Sequence, residues 1–167
     1  VGNSVTLENS KDLNGHGSLM RSVILSVNPN AMVDCYKIVD RCGTCSTDLF
    51  VSGLVFGYMN DYDIISISLA LPYISKTMDK WLHAIYDKGT KIVVSSGNNL
   101  ISPLGLHQCT ISVGALDEQG NVADYTIGGY DVLAKGYFNG KSGTSIATAY
   151  YVGQLSIGGD DSGKEKR

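Results

Sequence analysis

The sequence predicts an α/β fold of three layers, α/β/α, built on a mostly parallel sheet. Two observations carry this. Helical patterns alternate with short apolar strands along the chain, which argues for βαβ units and a parallel sheet covered by helices on both faces. Hydrophobic residues make up 43% and charged residues 17% of the 167, enough for one domain with a real core.

Residues 1–15 are mostly polar and poorly periodic, and read as an extended lead-in and loop. A helix is expected over 17–28. There Met20, Val23, Ile24 and Val27 recur at i, i+3, i+4 and i+7, and Asn28-Pro29-Asn30 stops the pattern. Cys35 to Val39 reads as a strand and Asp40 to Ser46 as a loop. Thr47 to Met59 is a second helix, with Thr47 or Asp48 as its cap and Phe50, Leu54 and Tyr58 on one face. Asp63 to Ser68 is a β-branched strand. Ser75 to Lys88 is the clearest helix, with Met78, Trp81, Leu82 and Ile85 as its core stripe and Gly89 placed to end it in the left-handed conformation.

Lys91 to Ser95 and Thr110 to Val113 are the next strands. Residues 114–142 read as loops and short strands, and an apolar helix opens at Ser145. Gly158-Gly159-Asp160-Asp161 breaks that helix pattern. The domain is therefore drawn at 1–159, with a polar C-terminal tail at 160–167.

In parallel sheets, ligand sites form beyond the carboxyl ends of the strands. Asn98 follows a strand end, while His16 and Ser145 open helices, whose starts face that same edge. The three can converge despite their separation in sequence. Gly140 and Gly143 let the chain turn tightly before Ser145. A serine at a helix start keeps its own N–H free, and that N–H and the helix dipole both stabilise negative charge. The plainer reading of Ser145 is a helix cap. His16 sits between two glycines at a helix start rather than in an apolar stripe, which favours a functional role over a core one.

Net charge is −3, with no basic run before the tail, so no nucleic-acid partner is expected. No apolar run approaches a membrane span, and no charged-then-apolar leader opens the sequence. Cysteines stand at 35, 42, 45 and 109. Cys42-Gly43-Thr44-Cys45 has the spacing of redox and metal sites but no second pair and no nearby histidine. It reads best as reduced thiols, with a disulfide or zinc left open. His83 and His107 read as structural or surface residues.

Several motifs carry a resemblance. His16-Gly17-Ser18-Leu19, Gly97-Asn98, Ser112-Val113-Gly114-Ala115, Asp131-Val132-Leu133-Ala134-Lys135-Gly136 and Gly143-Thr144-Ser145-Ile146-Ala147-Thr148-Ala149-Tyr150 stand in one order between about Asp12 and Gly153. In that order they resemble the subtilisin-like serine peptidases, the subtilases. The resemblance implies a serine endopeptidase acting on peptides or proteins. Ser145 would be its nucleophile and His16 its general base, with the Asn98 amide and the Ser145 N–H as the oxyanion hole. It also implies a substrate channel lined by Ser68, Leu69 and Ala70 on one side and by Ser95, Ser96 and Gly97 on the other. No cofactor is implied. Calcium is common among subtilases, but the sequence has no tight acidic cluster with ligand spacing. Family members are often secreted, and the compartment of this chain is left open.

The sequence departs from the family pattern at Leu19, Lys135, Ala149 and Tyr150. The larger departure is the triad aspartate, which in subtilases ends the first core strand in a D-[ST]-G setting. Only Glu8 and Asp12 are acidic before His16, and neither lies in such a setting. Asp40, after a strand, is the best internal substitute. The expectation is a fold shortened at both ends that lacks the first strand, completed by a missing segment or a partner chain. A second class of function stands beside the first: a catalytically weak or inactive relative that binds peptides or regulates.

Overall fold

The computed structural model describes residues 3–4 and 11–158. The elements run β1 (Asn3–Ser4), α1 (His16–Val27), β2 (Tyr36–Lys37), α2 (Thr47–Met59), β3 (Ile64–Ile67), α3 (Lys76–Asp87), β4 (Lys91–Ser95) and a 3-10 turn (Pro103–Leu106). They continue with β5 (Thr110–Leu116), β6 (Val132–Lys135), β7 (Tyr137–Phe138), β8 (Lys141–Ser142) and α4 (Thr144–Leu155). The tail drawn at 160–167 lies outside the described residues, as does Glu8.

Strands β3, β4, β5 and β6 form a parallel sheet in that order, with Ile65 beside Ile92, Val93 beside Ile111 and Val113 beside Val132. Successive side chains of a strand point to opposite faces, so a strand apolar throughout must be covered on both. β4 shows this directly. Val93 packs into a cluster with Met20, Val23 and Ile24 of α1 and Ile146, Ala149 and Val152 of α4. Its neighbours Ile92 and Val94 pack into a second cluster with Phe50 and Leu54 of α2 and Met78, Leu82 and Ile85 of α3. The molecule is therefore a three-layer α/β/α sandwich, with α1 and α4 on one face and α2 and α3 on the other.

Most expected elements are present with small shifts. The N-cap of α2 is Ser46, whose hydroxyl accepts from the Leu49 N–H, rather than Thr47 or Asp48. Ser75 caps α3, and Gly89 follows its end at φ +88°. The strand expected over Cys35–Val39 shrinks to Tyr36–Lys37, because among the described residues it pairs with the two residues of β1 and not with β3. Within the expected lead-in, Asn3–Ser4 is a strand. β5 runs on to Leu116, where the chain was expected to become loop after Val113. No helix among the described residues is long and apolar enough to cross a membrane.

α4 is nearly all buried, including Ile146, Ala147, Thr148, Ala149, Val152 and Leu155. It lies against α1 at Gly153, where a Cβ would come within 2.7 Å of Val27 Cβ and 3.1 Å of Ile24 O. The absent side chain is what lets the two backbones approach. Asn28 Nδ2 donates to Ser156 Oγ at 2.9 Å just beyond, so the helices are joined at their C-terminal ends.

Candidate active site

The turn into α1 is organised by Asp12. Its Oδ1 accepts from the Gly15 N–H, and its Oδ2 from both the N–H and the hydroxyl of Ser18, all at 2.7 Å. These satisfy donors that the helix start would leave open. Burial pushes the Asp12 carboxyl up, but hydrogen bonds from Ser18, Gly15 and Asn14 outweigh it and leave the group below its ordinary range. His16, the first residue of α1, is exposed.

Asn98 is placed by Gly97. Gly97 has φ +103°, and a Cβ there would meet Leu100 O at 2.1 Å, so only glycine fits after β4. Asn98 Oδ1 then accepts from the Thr144 N–H at 3.0 Å and from Thr144 Oγ1 at 2.9 Å. Two donors on one side-chain atom identify it as the oxygen, so the amide Nδ2 is the group left to donate elsewhere.

Thr144 is the first residue of α4 and Ser145 the second. A cleft of about 290 Å³ is lined by His16, Asn98 and Ser145 together with Gly15, Lys141 and Gly143, among others. The three residues singled out in the sequence thus share one cavity. At the start of α4 the N–H groups of Thr144, Ile146 and Ala147 are bonded to Asn98 Oδ1 and Gly143 O, so the Ser145 N–H is the one left without a partner among the described residues.

Ser68, just past β3, touches both sides. Its carbonyl lies 3.2 Å from His16 Nε2, and its hydroxyl donates to Ser145 O at 3.3 Å. Leu69 is half-buried against the α2–α3 cluster, and Ala70 is exposed. Ser95 and Ser96 are only 3% and 1% exposed, main chain included, and the Ser96 N–H and carbonyl are bonded to Val113 O and the Ser102 N–H. The Ser96 hydroxyl has no hydrogen-bond partner among the described residues. Ser68 to Ala70 follow the end of β3, and Ser95, the last residue of the neighbouring parallel strand β4, leads into Ser96 and Gly97.

A profile of the subtilase family matches residues 2–153. The chain belongs to the subtilase family. An alkaline protease of Alkalihalobacillus alcalophilus is 26% identical over 172 residues, covering 89% of this chain and 45% of that protein. Subtilisin Savinase of Lederbergia lenta is 25% identical, covering 89% of this chain and 64% of that protein. The chain thus spans about half to two-thirds of the length of these curated relatives. Among solved structures, a cold-adapted subtilisin-like serine proteinase matches with a TM-score of 0.83 at 18% identity, covering 93% of this chain and 67% of that one. That likeness shows the fold.

In this subtilase Asp40 is engaged in its own turn, and among the described residues the ring contact of His16 is with Ser68 O. Asp40 Oδ1 accepts from the N–H groups of Cys42 and Thr44 at 2.8 and 2.9 Å, and so serves its own turn. That turn holds the Cys-x-x-Cys, and Asn14 Nδ2 ties it to the histidine loop through Arg41 O at 3.2 Å. All four cysteines are free, and burial pushes the thiols of Cys35, Cys45 and Cys109 up, away from thiolate chemistry.

One group among the described residues has metal-ligand spacing: Asp79, His83 and His107. His107 Nε2 and His83 Nδ1 lie 3.1 and 3.6 Å from Asp79 Oδ1. A ligating histidine donates its second ring N–H outward. His107 Nδ1 instead accepts from the Cys109 N–H at 3.2 Å. His83 Nδ1 donates to Asp79 O at 2.9 Å, and its Nε2 meets the Gln108 amide at 2.7 Å. The cluster fits a closed hydrogen-bond network better than a metal centre.

The parts that sequence reasoning missed are the supports: Asp12 under the histidine turn, Thr144 holding Asn98, and Ser68 between His16 and Ser145. Only Asp12 had a local signal, an acidic residue shortly before a Gly-His-Gly-Ser helix start.

Proposed function

We propose that this chain carries the nucleophile, base and oxyanion site of a serine endopeptidase. Ser145 Oγ would attack the scissile carbonyl, and His16 would take its proton and pass it to the leaving amine. The Asn98 amide and the Ser145 N–H would hold the oxyanion. The observation that carries this reading is the orientation of Asn98. Thr144 holds its oxygen from two sides and so commits its amide N–H groups as donors, beside the cleft shared with His16 and Ser145. An extended peptide would lie along Ser68, Leu69 and Ala70 as an added strand, with Ser95, Ser96 and Gly97 forming the opposite wall beneath it.

The reading includes a carboxylate from a segment or partner outside the described residues, to hold His16 at Nδ1. One feature supports this. β1–β2 and β3–β6 are separate sheets, and α2 reaches residues at both. Gly53 of α2 faces Tyr36 and Ile38, and Gly57, one turn on, faces Ile65. A strand inserted between β2 and β3 would join the two.

A second reading, a weak or inactive peptide binder, is favoured by one contact. Among the described residues the ring of His16 bonds to the Ser68 carbonyl, not to a carboxylate. In subtilisin, itself a member of this family, loss of the aspartate alone lowers turnover by about 3 × 10⁴.

Labelling by a fluorophosphonate probe tests the choice, on the chain and on Ser145→Ala and His16→Ala. Labelling that vanishes in both variants supports an activated nucleophile. A folded chain that stays unlabelled overturns the peptidase reading for the chain alone and leaves the binder.

A further inference from the structure

We propose that Tyr125 is a positioning residue for the oxyanion site, acting through its phenolic hydroxyl. Its consequence for catalysis rests on the serine-peptidase reading; the tie itself does not.

Tyr125 reaches both loops that build the site. Its main-chain carbonyl accepts from the Asn99 N–H at 2.8 Å, next to Asn98. Its hydroxyl donates to Gly136 O at 3.3 Å. Gly136 O is the acceptor for the Gly143 N–H too, at 2.9 Å. The hydroxyl therefore sits at the foot of the β7–β8 hairpin, which delivers Thr144 and Ser145. Thr144 in turn holds Asn98 Oδ1.

These contacts close a circuit. Asn98 is bonded covalently to Asn99, Asn99 to the Tyr125 carbonyl, the Tyr125 hydroxyl to Gly136 O, Gly136 O to the Gly143 N–H, and Thr144, next in the chain, back to Asn98. A closed circuit has no free end, so Asn98 cannot swing from Thr144 without straining the link through Asn99. Burial raises the Tyr125 phenol above its ordinary range, which keeps it a donor at neutral pH. Tyr125 is not among the residues lining the cleft. It acts on substrate only through the groups it holds. Its ring also packs against the α1–α4 core, so the hydroxyl must be tested apart from the ring.

Tyr125→Phe removes the hydroxyl and keeps the ring. The expected result has two parts. Amide exchange at Gly143 and Thr144 should quicken several-fold while a core amide such as Val93 is unchanged. In an active form of the protein, kcat should fall about tenfold with KM within about twofold, less than the roughly hundredfold or more that follows loss of an oxyanion donor itself. Unchanged exchange at Gly143 and Thr144 overturns the proposal whether or not the protein is active. So does uniform acceleration at every amide, which would mark a purely structural residue. Selective exchange in a protein that never cleaves peptide keeps the tie and removes the peptidase reading instead. Selective exchange with kcat unchanged in an active protein removes the positioning role.

Discussion

The main-chain carbonyl of Ser68 stands 3.2 Å from Nε2 of His16. A carbonyl only accepts, so a neutral His16 in this contact carries its proton on Nε2 and leaves Nδ1 as the free lone pair. A histidine serving as base toward a serine needs the reverse, with Nδ1–H held by a carboxylate. The contact with Ser68 therefore holds His16 in the opposite tautomer from the one the proposed base would need.

The first expectation concerns that proton. ¹⁵N NMR of the imidazole at neutral pH should show His16 protonated at Nε2. Supplying a segment with a carboxylate that reaches Nδ1 should move the proton there. Finding Nδ1–H in the chain alone would mean that the Ser68 contact is not made in solution.

Asn98 separates holding from catalysis. Asn98→Asp keeps an acceptor for both Thr144 donors, so the melting temperature should stay near native. The lost amide and the added negative charge should slow fluorophosphonate labelling by about a hundredfold to a thousandfold, the range known for the oxyanion asparagine of subtilisin, a relative in the same family. Asn98→Ala should add a loss of about 1–3 kcal/mol, because the buried Thr144 N–H and hydroxyl lose their acceptor. Calorimetry beside labelling rates checks both.

Asp12 gives a pH dependence with a definite sign. Its folded carboxyl lies below the ordinary range, so its stabilisation is present above that range and is lost as pH falls through the folded value. The native chain should lose stability below about pH 4, and Asp12→Asn should flatten that part of the profile. At neutral pH the variant should cost about 1 kcal/mol, the size of a lost helix cap. Equal acid slopes in both proteins would assign the loss to other carboxylates.

Gly97→Ala should be far worse than Gly120→Ala, although both positions have positive φ. At Gly120 a Cβ meets nothing within 4 Å, and only backbone strain of about 1 kcal/mol remains. At Gly97 the Cβ would meet the Leu100 carbonyl, and the cost should exceed about 2 kcal/mol, with Asn98 displaced. Denaturant melts of the two variants make the comparison.

The layers were legible because their elements are amphipathic. Met78, Leu82 and Ile85 recur at helical spacing and all three are buried, as are Phe50 and Leu54 of α2. α4 has no such stripe, since almost every side chain is covered, and only the Gly-Thr-Ser sequence marked its start. His16, Asn98 and Ser145 were found from local settings of small residues. Thr144 was not, and Ser68 was named only as a channel residue, because these tethering contacts depend on partners 46 and 77 residues away. The short β2 was overread, since an apolar run tells nothing of whether a neighbour pairs along its length.

The close contact at Gly153 acts as a gauge for the site. α1 and α4 lie side by side, pinned at one end where Val27 meets Gly153, with His16 and Ser145 at the other. Gly153 is about 12 Å along the helix axis from Ser145. A methyl group there would wedge the pinned end and change the gap at the other, without touching substrate. The separation of His16 and Ser145 is thus calibrated at a residue that lies outside the cleft, and on the serine-peptidase reading any activity would drift through a position that a survey of the cleft would pass over.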